Sequence, residues 1–176
     1  LLAVNAPDAD GRQTQRSRLF RNRGDGTFED VTERSGVAAV TMSLALFLDA
    51  NGDGFPDIFF ADHLAGDPPY PADKGSGLLL NDGTGVFTLK ADSGLFTQGP
   101  VGAAAAADAD GDGHIDLFVG HWLTHYPRGP HPNAFFKGNG DGTFVDVSEV
   151  VFGGAPAAPC YGAVWGDFDD DGDQDL

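Results

Sequence analysis

Asp108-Ala109-Asp110-Gly111-Asp112-Gly113-His114-Ile115-Asp116 carries an oxygen-bearing side chain at positions 1, 3, 5 and 9 of a nine-residue stretch. The pattern recurs at Asp49-Ala50-Asn51-Gly52-Asp53-Gly54-Phe55-Pro56-Asp57 and at Asp167-Phe168-Asp169-Asp170-Asp171-Gly172-Asp173-Gln174-Asp175, with first residues 59 apart in both intervals. A fixed interval marks a structural repeat and not a chance acidic cluster. Glycine at position 6 permits a sharp turn, and the carbonyl of position 7 (Phe55, His114 or Asp173) is left free to point inward. Such a loop is a cage for a hard cation. Calcium takes six to eight oxygens at flexible geometry, whereas magnesium demands a stricter octahedron with several retained waters, so the donor set favours calcium, about one ion per loop. The expected ligands are Asp49, Asn51, Asp53, Phe55 and Asp57; Asp108, Asp110, Asp112, His114 and Asp116; and Asp167, Asp169, Asp171, Asp173 and Asp175.

The EF-hand shares the opening of this pattern but requires a glutamate at position 12 and a helix on either side. Position 12 is Phe60 in the first loop and Val119 in the second. The flanks, Leu44 to Leu48 and Ile58 to Ala61, are short runs of bulky apolar residues, of strand length. Each loop is therefore expected to join two strands.

The rest of the repeat reads in the same terms. Leu19-Phe20-Arg21-Asn22 with Gly24-Asp25-Gly26-Thr27-Phe28, Leu79-Leu80-Asn81 with Gly83-Thr84-Gly85-Val86-Phe87, and Phe135-Phe136-Lys137 with Gly140-Asp141-Gly142-Thr143-Phe144 are each strand, glycine-rich turn, strand. One unit is then four strands: A over 43–48, B over 58–61, C over 78–81 and D over 86–90. Four antiparallel strands per repeat describe a β-propeller blade, so the fold class is all-β. Gly102 to Ala107 reads as helix on propensity, yet it holds the place of strand A, as does Gly162 to Gly166. Small residues suit the innermost strand, where blades crowd together. Phe59, Phe60, Phe118, Phe135 and Phe136 are expected to fill the space between blades.

The units divide the chain into strands B to D of one blade (1–35), two full blades (40–92 and 100–149), and strand A with the acidic loop of a further one (160–176). A ring of so few blades is too tight. The chain is thus expected to be a segment of a longer propeller, completed by further blades or by a second copy.

Composition sets outer limits. The chain has 176 residues, 41% of them hydrophobic, and a formal charge of −17, with close to half of its 27 carboxylates in the three loops. Only ten Lys and Arg are present, and they form no basic stripe, so nucleic acid is not an expected partner. No apolar run approaches the length that spans a bilayer. Cys160 is the single cysteine, which excludes an internal disulfide; a small buried residue at a strand entrance is expected there.

With the blade register in place, the units resemble the FG-GAP or VCBS repeats of calcium-binding propellers, such as those of the integrin alpha-subunit head. The stretches over 19–32 and 166–173 look most like the group related to cartilage acidic protein, which often carries an ASPIC/UnbV domain downstream. The resemblance implies a seven-bladed ring, export to an extracellular, periplasmic or cell-surface location, and a role in adhesion or binding.

Strand parity puts the A-to-B acidic loops and the C-to-D turns on one face of the propeller and the longer connections on the other. Long loops on a rigid scaffold are where recognition resides. Asp62 and Tyr70 in one such loop, and His121, Trp122, His125, Tyr126 and Arg128 in another, are the expected contacts for a protein or glycan. Arg23-Gly24-Asp25 spells an integrin-recognition tripeptide but falls in a C-to-D turn, whose geometry explains it. His121, His125 and His131 match no zinc spacing and are expected to face solvent or a partner. The alternative to a binding module is an enzyme of the polysaccharide lyase or hydrolase type with a site at the central channel. The inner-strand ends, however, offer glycine, alanine and the acidic loops and no convergent catalytic set.

Overall fold

The computed structural model describes residues 2–6, 16–40, 42–61, 75–97, 101–122, 131–154 and 159–176. They form three antiparallel sheets. The first holds β1 (Leu2–Ala6), β2 (Arg16–Asn22) and β3 (Phe28–Asp30) in that order. The second holds β4 (Leu44–Leu48), β5 (Asp57–Ala61), β6 (Gly77–Asn81) and β7 (Phe87–Leu89). The third holds β8 (Val101–Ala107), β9 (Asp116–His121), β10 (Ala134–Gly138) and β11 (Phe144–Asp146). Each four-stranded sheet keeps sequence order, the meander expected of a blade.

The alanine run is strand and not helix. Ala103 to Ala107 pair with Gly120 to Asp116 along β9. Neighbouring strands supply its hydrogen bonds, and the innermost strands β4 and β8 pack against each other, a closeness that small side chains permit.

Strands β5 and β9 are buried at every position: β5 lies between the sheets before and after it, and the third sheet packs on the second by one face while Phe152 and Trp165 cover the other. Alternation along β5 decides which neighbour each side chain meets. Ile58 and Phe60 join Leu79 and Phe87 against Leu19 and Val31 of the preceding unit and against Val37 and Met42 of the segment that leads into β4. Phe59 and Ala61 join Leu78 against Leu117, Val119 and Phe136 of the following one. Phe118 and Phe135 face the far side, where the Phe152 ring lies 6.2 and 6.3 Å from theirs and the Trp165 ring 6.0 Å from Phe135. The core is thus a set of layers between sheets, as the phenylalanine positions required.

Two one-turn helices, α1 (Thr32–Ser35) and α2 (Ser148–Phe152), follow the last strands of their units and were not expected from the sequence. Their signal is Asp-Val-Thr/Ser-Glu. Asp30 Oδ1 accepts the backbone N–H of Thr32 (3.0 Å) and its hydroxyl (2.6 Å), and Asp146 holds Ser148 in the same way. The two hydroxyls in turn accept the backbone N–H of Leu19 (3.0 Å) and Phe135 (2.8 Å), which fastens each turn to its sheet.

The fourth unit departs from expectation. Residues 162–165 form no strand, and Gly166 makes an isolated bridge with Asp175. A strand needs a partner along its length, and among the described residues this segment pairs only at that bridge. Cys160 is partly exposed, not buried, with its Sγ 3.4 Å from the Gly162 carbonyl.

Candidate functional site

All three acidic loops close by one mechanism. The backbone N–H of position 6 donates to the position 1 carboxylate: Gly54 to Asp49 (3.0 Å), Gly113 to Asp108 (2.9 Å) and Gly172 to Asp167 (2.9 Å). Position 7 donates to position 5: Phe55 to Asp53 (2.8 Å), His114 to Asp112 (2.9 Å) and Asp173 to Asp171 (2.9 Å). Short polar side chains favour such local bonds, and here they curl the backbone around a common centre. Position 6 needs a positive φ, met by Gly54, Gly113 and Gly172 at +84°, +88° and +96°. Position 4 needs one too. It is Gly52 and Gly111 in the first two loops and Asp170 (+64°) in the third, the one non-glycine with positive φ among the described residues.

Position 9 does more than the sequence announced. Asp57 is 0% exposed; its Oδ2 accepts the N–H of Ala50 (3.0 Å) and its Oδ1 that of Asn81 (2.8 Å). Asp116 is 1% exposed and accepts the N–H groups of Ala109 (3.1 Å) and Gly138 (2.9 Å). Each carboxylate therefore ties its loop to strand C of its own blade as well as facing the loop centre. Burial pushes both carboxyls above the ordinary aspartate range, and the N–H donors pull the other way. In the third loop Asp175 Oδ2 accepts the N–H of Phe168 (3.0 Å). After these bonds about two acceptor sites stay free on Asp57 and on Asp116, since an ionised carboxylate offers about four.

Carboxylate oxygens converge as a cation site demands. Those of Asp108, Asp110 and Asp116 lie within 4.8 Å of one another, as do those of Asp167, Asp169 and Asp175. In the first loop position 3 is Asn51, whose Nδ2 donates to Asp53 (2.8 Å). The fit to calcium is tested most sharply in the second loop: Asp108 Oδ1 is buried and has no hydrogen-bond partner. A buried, unpaired carboxylate oxygen is costly, and a cation at the loop centre would satisfy it. The donor set is all oxygen, as calcium requires.

The neighbouring C-to-D turns share this face. Gly142 N–H donates to the Ala50 carbonyl (3.0 Å) across the blade boundary, and a Cβ at Gly140 would run into the His114 ring. Within these turns Asp25, Asp82 and Asp141 each accept the N–H and hydroxyl of the threonine two residues on. The Asp25 carboxylate of the Arg-Gly-Asp stretch is thereby committed to Thr27, in keeping with its reading as a turn.

On the opposite face the structure separates the candidates. Asp62, Tyr70, His125, Tyr126 and Arg128 lie outside the described residues. Trp122 is half-buried, its ring 6.2 Å from that of Tyr161. His121 ends β9 and is 3% exposed, which corrects the expectation of a solvent-facing histidine. Its N–H donates to Asn133 Oδ1 (2.9 Å) and its carbonyl accepts from Cys160 (2.9 Å), while neither ring nitrogen has a well-formed hydrogen bond. Burial lowers its pKa to about 4, with the Pro132 carbonyl opposing and His131, ring centroid 5.9 Å away, assisting. Alternation accounts for the burial: His121 shares a face with Leu117 and Val119, the face packed on the preceding sheet.

Repeated four-stranded antiparallel sheets, each opening on a nine-residue acidic loop, define a protein of the β-propeller repeat class. The FG-GAP-like repeat family model matches residues 2–60, 49–119 and 122–176, and the chain belongs to that family. It is also similar to cartilage acidic protein 1 of Xenopus tropicalis, at 30% identity over 165 residues, 90% of this chain and 24% of that protein. The chain spans about a quarter of the length of that relative.

Proposed function

We propose that each acidic loop holds a calcium ion, and that the propeller module so stabilised presents its opposite face to a protein or glycan outside the cell. The observation that carries the calcium reading is the orphaned Asp108 Oδ1 within a carboxylate cluster whose loop geometry recurs at the same interval three times. Calcium supplies the positive charge that lets three or four carboxylates share a few ångströms. The chain's own residues supply the oxygens, the closed turns and, through Asp57 and Asp116, the connection to strand C.

An extracellular setting is supported by membership of the FG-GAP-like family and by similarity to a protein named for cartilage. No helix among the described residues is long and apolar enough to cross a membrane. Recognition is assigned to the face of Asp62, Tyr70, Trp122, His125, Tyr126 and Arg128 because the acidic face is occupied by short, internally bonded turns.

Calorimetric melting with calcium and with excess chelator tests the first part. An ion bound only to the native state at 100 times its Kd adds about 2.7 kcal/mol per site, so chelation should lower Tm by at least about 5 °C for a chain of this size. An unchanged Tm, with no calcium uptake by titration, refutes it. Glycan and protein arrays, probed with wild type and with Arg128→Ala in calcium, test the second part; a bound ligand that ignores substitutions on that face removes the assignment.

A further inference from the structure

Lys137 stands on β10 with its ammonium directed into the second acidic loop. Its Nζ donates to Asp110 Oδ2 and lies 2.9 Å from Asp112 Oδ2, so it touches positions 3 and 5 at once. Next to it, the Gly138 N–H holds Asp116 of position 9. The two oxygens used by the ammonium belong to the set that calcium would use, while Asp108 Oδ1 is left buried and unpaired. A monovalent cation on a flexible stem therefore covers one side of the cage and leaves the other unsatisfied.

The blade before it lacks this device. Asn81 and Gly138 make the same bond to the position 9 carboxylate, so the residue equivalent to Lys137 is Leu80, one place earlier in each strand. Leu80 carries no charge and packs against the apolar layer between sheets. The nearby Lys90 is engaged elsewhere, with Asp92 at 2.8 Å. The acidic loops of one chain thus differ in whether they bring a cation of their own.

We propose that Lys137 is a tethered competitor for calcium, so that the second loop binds the ion more weakly than its oxygen set allows and retains its shape when calcium is scarce. This rests on the calcium reading of the loops. Calcium entering the second loop must displace the ammonium, which has a short route out because the lysine side chain is 38% exposed. Site affinity follows ligand charge count and rigidity. Removing one positive charge from the cage restores the full negative charge to the incoming ion, and losing two partly exposed ion pairs predicts a gain of about 10-fold in affinity.

The test uses the protein with Asp49→Asn and Asp167→Asn, which weaken the first and third loops, and compares Lys137, Lys137→Met and Lys137→Arg by calorimetric titration with calcium chloride. Lys137→Met should bind about 10-fold tighter, and Lys137→Arg, which keeps the charge, should not. In chelator Lys137→Met should melt below the parent, since four carboxylates are then left without a counter-charge; in saturating calcium the order should reverse or vanish. Circular dichroism in calcium establishes that each variant is folded. Equal affinities for Lys137 and Lys137→Met overturn the proposal while leaving the calcium reading in place. If no variant takes up calcium and the unsubstituted protein takes up none either, the calcium reading falls and this proposal with it.

Discussion

Asp57 offers the clearest separation of scaffold from ligand. It is 0% exposed and accepts two backbone N–H groups, from Ala50 at 3.0 Å and Asn81 at 2.8 Å. Replacing it by alanine removes two bonds to a charged acceptor, worth about 1.5–3 kcal/mol each, and leaves two donors without partners. Against this stands the relief of a buried carboxylate, whose raised pKa records what burial costs it. Two buried N–H groups left without partners cost more than that relief returns, and the net loss should be about 2–4 kcal/mol, a large share of the stability of an ordinary domain. Asp57→Asn should fall between, because the amide keeps one acceptor and turns a donor toward the other N–H. The assay is urea unfolding followed by circular dichroism in excess chelator, with Asp53→Ala as control. Asp53 is exposed and accepts loop N–H groups only, so its loss in chelator should stay under about 1 kcal/mol. If Asp57→Ala costs no more than Asp53→Ala without calcium, position 9 is a ligand and nothing more, and the connection to strand C is wrong.

Acidification should probe His121. Its pKa of about 4 lies below the ordinary 6.5, so as pH falls through that window the unfolded chain takes up a proton that the native state refuses; stability should drop by about 2 kcal/mol near pH 5, and His121→Leu should flatten the difference between unfolding curves at pH 7 and pH 5. Gly94→Ala should cost more than about 2 kcal/mol in the same assay, because Gly94 has φ +77° and a Cβ there would lie 2.2 Å from the Phe144 carbonyl oxygen of the next blade; a tolerated alanine would mean that the blades are not held at this distance. Asp170→Gly should raise Tm slightly, by relieving about 0.5–1 kcal/mol of left-handed strain at +64°; a lower Tm would show that the Asp170 carboxylate contributes more than its backbone conformation costs.

The repeat interval, the nine-residue acidic pattern and the alternation around Ile58 to Ala61 are local facts, and local facts are what a sequence displays. They determined the all-β class, the four-strand unit, the strand identity of the alanine run and the carboxylates that the second and third loops bring together. Asp30-Val31-Thr32 and Asp146-Val147-Ser148 are equally local, with the same Asx-type turn in both, but the helices that follow are too short to show helical periodicity and so were not expected. The remaining features depend on chains of contact that cross sequence separation. Asp57 and Asp116 become ties to strand C only when Asn81 and Gly138, 24 and 22 residues on, present their N–H groups. Lys137 reaches Asp110 only because β10 passes beside the loop that precedes β9, 27 residues earlier. His121 looks like a loop histidine in the sequence; the packing of its face of β9 on the preceding sheet puts it inside, where desolvation and not its residue type sets its charge.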